Sequence, residues 1–204
     1  ETRYPPEWVH EPSAAQPTME LASVPMAETW KAMEDLVGKG LAKNIGVANF
    51  NTAGLRDLIS YAEIPPAVLQ VELHPYNQQP KLLRFASEHN IAVTGFSPLG
   101  AGSYVTIGMA EDEDSALVNP VILELATKYG VAPAQIILRW ALQRGYSVVP
   151  KSSSATRLQQ NIDLWSFELG EEDMASIATL EQRRRFNDPG EFCTGMGVFC
   201  PIFD

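Results

Sequence analysis

Two cations and three hydroxyls crowd one short stretch of this chain: Lys151, Ser152, Ser153 and Ser154, with Arg157 just beyond. They lie where a short β-branched run gives way to a helical pattern. A helix N-terminus offers free N–H groups and the positive end of the helix dipole, so with hydroxyls and two cations beside it the stretch suits a phosphate. A capped helix with surface charges would use the same residues, and the segment alone leaves both readings open. Three other stretches carry chemistry at the ends of apolar runs: Asn49; Gln70, Glu72 and His74, which alternate with Leu69, Val71 and Leu73; and Phe96-Ser97-Pro98-Leu99-Gly100. Phe96 could stack on a flat ring, and equally could fill a core. Four polar or aromatic endings in succession point to a shared site rather than to four unrelated turns.

The elements that must position these residues follow an alternating rhythm. Met26, Trp30, Met33 and Val37 recur at helical spacing, and Gly38 and Gly40 stop that helix. Residues 43–48 read as a strand, 51–62 as a helix with Leu55, Leu58 and Ile59 inward, and 67–73 as a second strand opened by Pro65-Pro66. A helix over 79–90 turns Leu82, Phe85 and Ala86 inward, and a third strand covers 91–96. An insertion runs from Gly100 to Asn119. Asn119-Pro120 then starts a helix ending at Tyr129-Gly130, since Pro suits the first helical position. Pro133 opens another helix, with Ile136, Ile137, Trp140 and Ala141 buried. Residues 147–149 form the fourth strand, and helices follow over 156–165 and 171–180. Residues 1–22 and 183–204 read as loops.

Strands alternating with helices imply a parallel sheet. Two architectures fit four such units: a doubly wound sheet, or half of an eight-stranded (β/α)8 barrel. No Gly-x-Gly-x-x-Gly follows any strand, which weighs against the first. A whole barrel needs about 250 residues, so the 204 residues here are expected to form the C-terminal half of a barrel. In barrels, function gathers at the C-terminal ends of the strands, often with a phosphate site after the last one.

Bulk properties exclude other classes. The net charge of −10 argues against a nucleic-acid partner, and the acidic run 111–114 reads as a solvated loop. No apolar run has the length of a membrane span, and no leader sequence is visible. His10, His74 and His89 lack metal-ligand spacing. Cys193 and Cys200 lie close enough for a disulfide to form, but two cysteines make no disulfide framework, and a cytoplasmic setting is expected. Nothing in the sequence speaks to oligomeric state.

A family resemblance rests on these same strings. Ile45-Gly46-Val47-Ala48-Asn49-Phe50 resembles the G-V-S-N-F segment of the aldo-keto reductases. Gln70-Val71-Glu72-Leu73-His74-Pro75-Tyr76 is similar to their Q-x-E-x-H-P-Y, and Ser97-Pro98-Leu99-Gly100 and Val149-Pro150-Lys151-Ser152 to S-P-L-G and I-P-K-S. Arg157 to Asn161 resembles the R-x-x-x-N that follows. The tail, Arg185-Phe186-Asn187-Asp188-Pro189 with Pro201-Ile202-Phe203, looks closest to the xylose reductase and aldose reductase branch.

The resemblance implies NADP(H)-dependent reduction of a small-molecule aldehyde or ketone, an aldose among the candidates. It implies that Asn49 and Gln70 hold the nicotinamide carboxamide, that Phe96 stacks under the ring, and that Ser97 and Leu99 line the pyrophosphate. Lys151, Ser152, Ser153, Arg157, Gln160 and Asn161 would take the adenosine end, with Lys151 and Arg157 on the 2′-phosphate. Asn187 would touch substrate. Ala48 departs from the family Ser, Phe96 from the more common Tyr, and Gln160 from the acidic residues usual near the adenine. The family's catalytic Asp, Tyr, Lys and His precede the matched part, so no catalytic residue is expected within this chain. Neither Tyr4, Tyr61 nor Tyr76 fits the acid's position, and His74 is implied to be a supporting residue. The alternative is a non-catalytic NADP(H)-binding or regulatory half-barrel, and beyond that a structural protein that has lost the cofactor.

Overall fold

The computed structural model describes residues 22–105, 110–188 and 198–203. The loop expected over residues 1–22, including Tyr4 and His10, lies outside these apart from Ala22. So does Cys193, and with it the question of its pairing with Cys200. Of the tail expected over 183–204, residues 183–188 and 198–203 are described, and they form neither helix nor strand.

Among the described residues, four strands form one parallel sheet: β1 (Gly46–Ala48), β2 (Val68–Glu72), β3 (Ala92–Phe96) and β4 (Ser147–Val148). Their spatial order is β1-β2-β3-β4, the order of the chain. A doubly wound sheet would reverse direction at a switch point; this one advances steadily, as a barrel wall does. The register aligns Ala48 with Gln70, Gln70 with Thr94, and Thr94 with Ser147.

All four strands are shorter than the hydrophobic pattern suggests, β1 most of all. The ladder reaches back only to Ala67, whose N–H donates to the Ile45 carbonyl at 2.8 Å. Pro65 and Pro66 precede it and have no N–H to donate, so Lys43 and Asn44 find no partner and β1 starts at Gly46. Likewise β4 stops where Pro150 follows Val149. A Cβ at Gly46 would fall directly against the Val68 carbonyl, so the close approach of β1 to β2 needs glycine there.

Helices cover one face of the sheet. They are α1 (Met26–Gly38), α2 (Thr52–Tyr61), α3 (Pro80–Glu88), the short α4 (Gly102–Val105), α5 (Pro120–Tyr129), α6 (Pro133–Gln143), α7 (Ala155–Ile162) and α8 (Glu171–Ala178). Within the 100–119 insertion, α4 is followed by single 3-10 turns at Asp112–Asp114 and Ala116–Val118. Asn119 caps α5 by accepting the Val121 N–H at 3.0 Å, and Gly130 ends it at φ +66°. Leu69, Val71 and Val93 meet Ile122, Ile136, Ile137 and Trp140 in one core. The other face of the sheet is open: Ala48, Gln70, Ala92 and Ser147 are exposed.

Trp30 and Leu58 pack in a second cluster with Ile45, but Met26, expected on the buried face of α1, is exposed. Sequence periodicity also missed Glu34, which is buried on α1. Its carboxylate accepts the N–H groups of Glu63 and Ile64 at 2.8 and 2.9 Å, and these bonds, that of Ile64 foremost, hold its carboxyl below the usual range. No single helix among the described residues is long and apolar enough to cross a membrane. On α7, Leu158 and Ile162 are exposed, as is Trp165 just beyond, whose ring lies against the Arg139 guanidinium at 5.0 Å.

Candidate functional site

Because all four strands run parallel, their C-terminal ends, and the residues that follow them, lie on one side of the sheet. Asn49 follows β1 with φ at +61° and donates its N–H to the Gln70 carbonyl at 2.9 Å, placing the two residues side by side. Gln70 is exposed on the open face. Phe96 ends β3 opposite Glu72, is half-buried, and stands outside both hydrophobic clusters of the described residues. That leaves its ring available to a ligand rather than committed to the core. Ser97 follows with φ at +48°. Non-glycine residues in the left-handed region are uncommon and gather at functional sites; here two of them sit directly behind strands.

The fourth ending builds a groove. A cavity of about 150 Å³ is lined by Leu99, Lys151, Ser152, Ser153, Arg157 and Asn161, joined by Leu117 from the insertion and Ala134 from α6. Among the described residues, no carboxylate lines it. Ser154 caps α7 by accepting the Arg157 N–H at 3.4 Å, and Ser152 Oγ accepts the Ser154 N–H at 3.2 Å, which fixes the turn leading into the helix. Among the described residues, ion pairs engage Lys31, Arg84, Lys128, Arg184, Arg185 and His74, and neither Lys151 nor Arg157. Two exposed cations without a counter-charge therefore flank hydroxyls at the N-terminus of α7, an arrangement that attracts an anion. Gln160 is half-buried on the same helix and does not line the groove.

Glu72 and His74, read from the sequence as part of the polar row with Gln70, are fully buried instead. The reason is the C-terminal segment, which folds back over the end of β2. Glu72 accepts the Phe186 N–H on Oε1 at 2.8 Å and the Asn187 N–H on Oε2 at 3.0 Å. His74 Nδ1 accepts the Tyr76 N–H at 3.3 Å, which leaves Nε2–H to donate to Glu72 Oε1 at 2.9 Å. The Arg185 guanidinium lies 3.9 Å from Glu72 and over the Phe203 ring at 3.5 Å from its centre; burial pushes its pKa down, against the pull of Glu72 and Asp188. A single buried carboxylate thus fixes where Asn187 stands. A buried charge needs partners, and the alternation that named Glu72 in the sequence did not disclose them.

Tyr104 on α4 is the residue the sequence did not disclose. It is buried, its hydroxyl lies 2.8 Å from Ser97 Oγ, and burial pushes its pKa up against the pull of Ser97 and Asn187. The expected site residues therefore fall into connected groups. Asn49 pairs with Gln70, Phe96 leads into Ser97, which meets Tyr104, Asn187 is anchored by Glu72, and six residues share the groove. Gln160 stands apart.

The sequence model of the Aldo/keto reductase family matches residues 8–182. A probable NAD(P)H-dependent D-xylose reductase of Emericella nidulans is 43% identical over 201 residues, taking in 98% of this chain and 62% of the relative. The NAD(P)H-dependent D-xylose reductase of Aspergillus niger is 40% identical over 203 residues, covering 98% and 61%. Among solved structures, the aldose reductase from Schistosoma japonicum superposes with a TM-score of 0.74 at 34% identity, over 85% of this chain and 53% of that one. An aldo-keto reductase complexed with NADPH gives 0.75 at 32% identity, over 82% and 51%. The chain thus spans less than two thirds of the length of each of these relatives.

Proposed function

Because this chain belongs to the aldo/keto reductase family, we propose that it forms the NADP(H)-binding part of an oxidoreductase that reduces an aldehyde or ketone to an alcohol. An aldose is the favoured substrate class, since the relatives in hand include D-xylose reductases. The observation that carries the cofactor reading is the groove: among the described residues it holds two cations without ion-pair partners, two hydroxyl-bearing serines, one asparagine and no carboxylate. This donor set suits phosphate, and a second cation favours the doubly charged 2′-phosphate of NADP(H) over the ribose hydroxyl of NAD(H).

NADPH, when bound, supplies the hydride. The residues of this chain bind and orient. Lys151 and Arg157 receive the 2′-phosphate, Ser152 and Ser153 donate hydroxyls, and Gln160 and Asn161 face the adenine end. Ser97 and Leu99 line the pyrophosphate path. Asn49 and Gln70 hold the carboxamide, and Phe96 lies under the ring. Asn187, on the segment anchored by Glu72, meets the substrate. No described tyrosine offers a free acid at the strand ends. Tyr61 and Tyr146 hydroxyls are buried without partners, Tyr76 accepts from Asn119, Tyr129 donates to Asp173, and Tyr104 is held by Ser97. We infer, as the family resemblance implies, that the proton for the carbonyl oxygen comes from a group outside the described residues. Proton donation contributes roughly a hundred- to ten-thousand-fold in rate.

The test is to measure NADPH binding by fluorescence for this chain, and to follow NADPH oxidation with D-xylose and with aromatic aldehydes for the full-length enzyme that contains it. Binding by the chain alone without turnover, and aldose-dependent turnover by the full-length enzyme, are expected. Binding without turnover of any carbonyl by the full-length enzyme would leave a cofactor-binding protein and remove the reductase; absence of binding would remove both.

A further inference from the structure

We propose that Arg185 is a positioning residue that latches the end of the chain, residues 198–203, onto the segment that carries Asn187. The latch itself needs no cofactor; only its effect on a substrate rests on the reading above.

Three observations isolate the contact. Residues 198–203 form neither helix nor strand, and among the described residues they make no backbone hydrogen bond. Phe199 and Ile202 are exposed, whereas Phe203 is half-buried and stands outside both hydrophobic clusters. What Phe203 meets instead is the Arg185 guanidinium, 3.5 Å from the ring centre. Among the described residues, this is the one directed contact that 198–203 make.

Burial explains why a guanidinium takes this part. The carboxylate it faces, Glu72, lies 3.9 Å away and already accepts from Phe186, His74 and Asn187. Arg185 Nη1 is buried and, among the described residues, has no hydrogen-bond partner. A cation short of water and of acceptors gains from the negative face of an aromatic ring, and gains more the drier the site. The planar guanidinium can lie flat on that face, as an ammonium cannot. Its neighbour Arg184 is turned away to Asp114, at 2.6 and 2.5 Å. The Glu72 oxygen that Arg185 faces, Oε2, is the one that accepts the Asn187 N–H. One carboxylate oxygen thus holds Asn187 directly and the end of the chain through Arg185, and release of Phe203 uncovers the segment on which Asn187 stands.

The reporter is Cys200, a free, half-buried thiol three residues before Phe203. Its rate of modification by a disulfide reagent is measured without cofactor, in a Cys193→Ser background so that a single thiol reacts. Phe203→Leu and Arg185→Met are each expected to speed the reaction roughly fivefold or more. Together they should speed it no more than either alone, because both remove the same contact. Phe203→Tyr, which keeps an aromatic face, is expected to react at the wild-type rate. Equal rates in Phe203→Leu and Phe203→Tyr, or additive effects of Phe203→Leu and Arg185→Met, overturn the latch. Should Arg185→Met fail to fold, the two Phe203 variants decide. In the full-length enzyme, Phe203→Leu is expected to raise the KM for the carbonyl substrate several-fold and to leave NADPH affinity unchanged; an unchanged KM overturns the effect on substrate. An enzyme that reduces no carbonyl sinks the reductase reading alone, since the thiol assay judges the latch without it.

Discussion

Replacing Glu72 by Gln tests whether one buried carboxylate holds the C-terminal segment in place. The side chain has no exposure to solvent and serves three donors at 2.8, 2.9 and 3.0 Å, with the Arg185 guanidinium 3.9 Å away. Two of those donors, Phe186 N–H and His74 Nε2–H, share Oε1, and Asn187 N–H uses Oε2. The best a glutamine can do is to keep its oxygen toward the shared pair. Its NH2 then faces the Asn187 N–H, donor against donor, and Arg185 loses its counter-charge. One charge-assisted bond is lost, at about 1.5–3 kcal/mol, and two more weaken to neutral strength, for a total of about 3 kcal/mol or somewhat more. With a urea dependence of about 2 kcal/mol per molar for a chain of this size, the unfolding midpoint should fall by about 1.5 M. Equilibrium urea titrations of the two proteins read this directly. A loss below about 1 kcal/mol would show that the segment is held by its aromatic packing, and that Glu72 is not its anchor.

Two further substitutions probe the frame around the site. Asp173, in the first turn of α8, binds Lys128 Nζ at 2.7 and 2.9 Å and the Tyr129 hydroxyl at 2.5 Å, and these bonds, that of Lys128 foremost, hold its carboxyl below the ordinary aspartate range. A depressed folded pKa stabilises above the ordinary value and is lost as pH falls through the folded one, so wild type should lose more stability than Asp173→Asn between about pH 5 and pH 2; parallel pH curves would contradict this. Gly46→Ala should lower stability by about 1–3 kcal/mol, the usual cost of overpacking, because its new methyl group would meet the Val68 carbonyl. An unchanged thermal midpoint would mean that β1 can move away from β2 without loss.

The repeating units were legible in the sequence because their signals are local. Asn119-Pro120 and Gly130 bracket α5 as expected, and Ile136, Ile137, Trp140 and Ala141 are buried as the helical period requires. Strand ends were less so, since a strand extends only as far as its neighbour has groups to pair, and the prolines at 65, 66 and 150 decide that. The groove was legible because Lys151, Ser152, Ser153, Arg157 and Asn161 are close in sequence. Tyr104 and the role of Glu72 were not. Tyr104 stacks on Phe186 across more than eighty positions, and Glu72 reaches Phe186 across more than a hundred. Neither contact leaves a period or a spacing to read.

The central claim is that the groove at the start of α7 reads the 2′-phosphate. The most direct measurement is the affinity of NADPH and of NADH for the wild-type protein and for Lys151→Ala. Loss of the charge-assisted contact, about 1.5–3 kcal/mol, predicts that NADPH binding weakens about 10- to 100-fold while NADH binding changes little. Equal weakening of both cofactors, or of neither, would contradict the assignment.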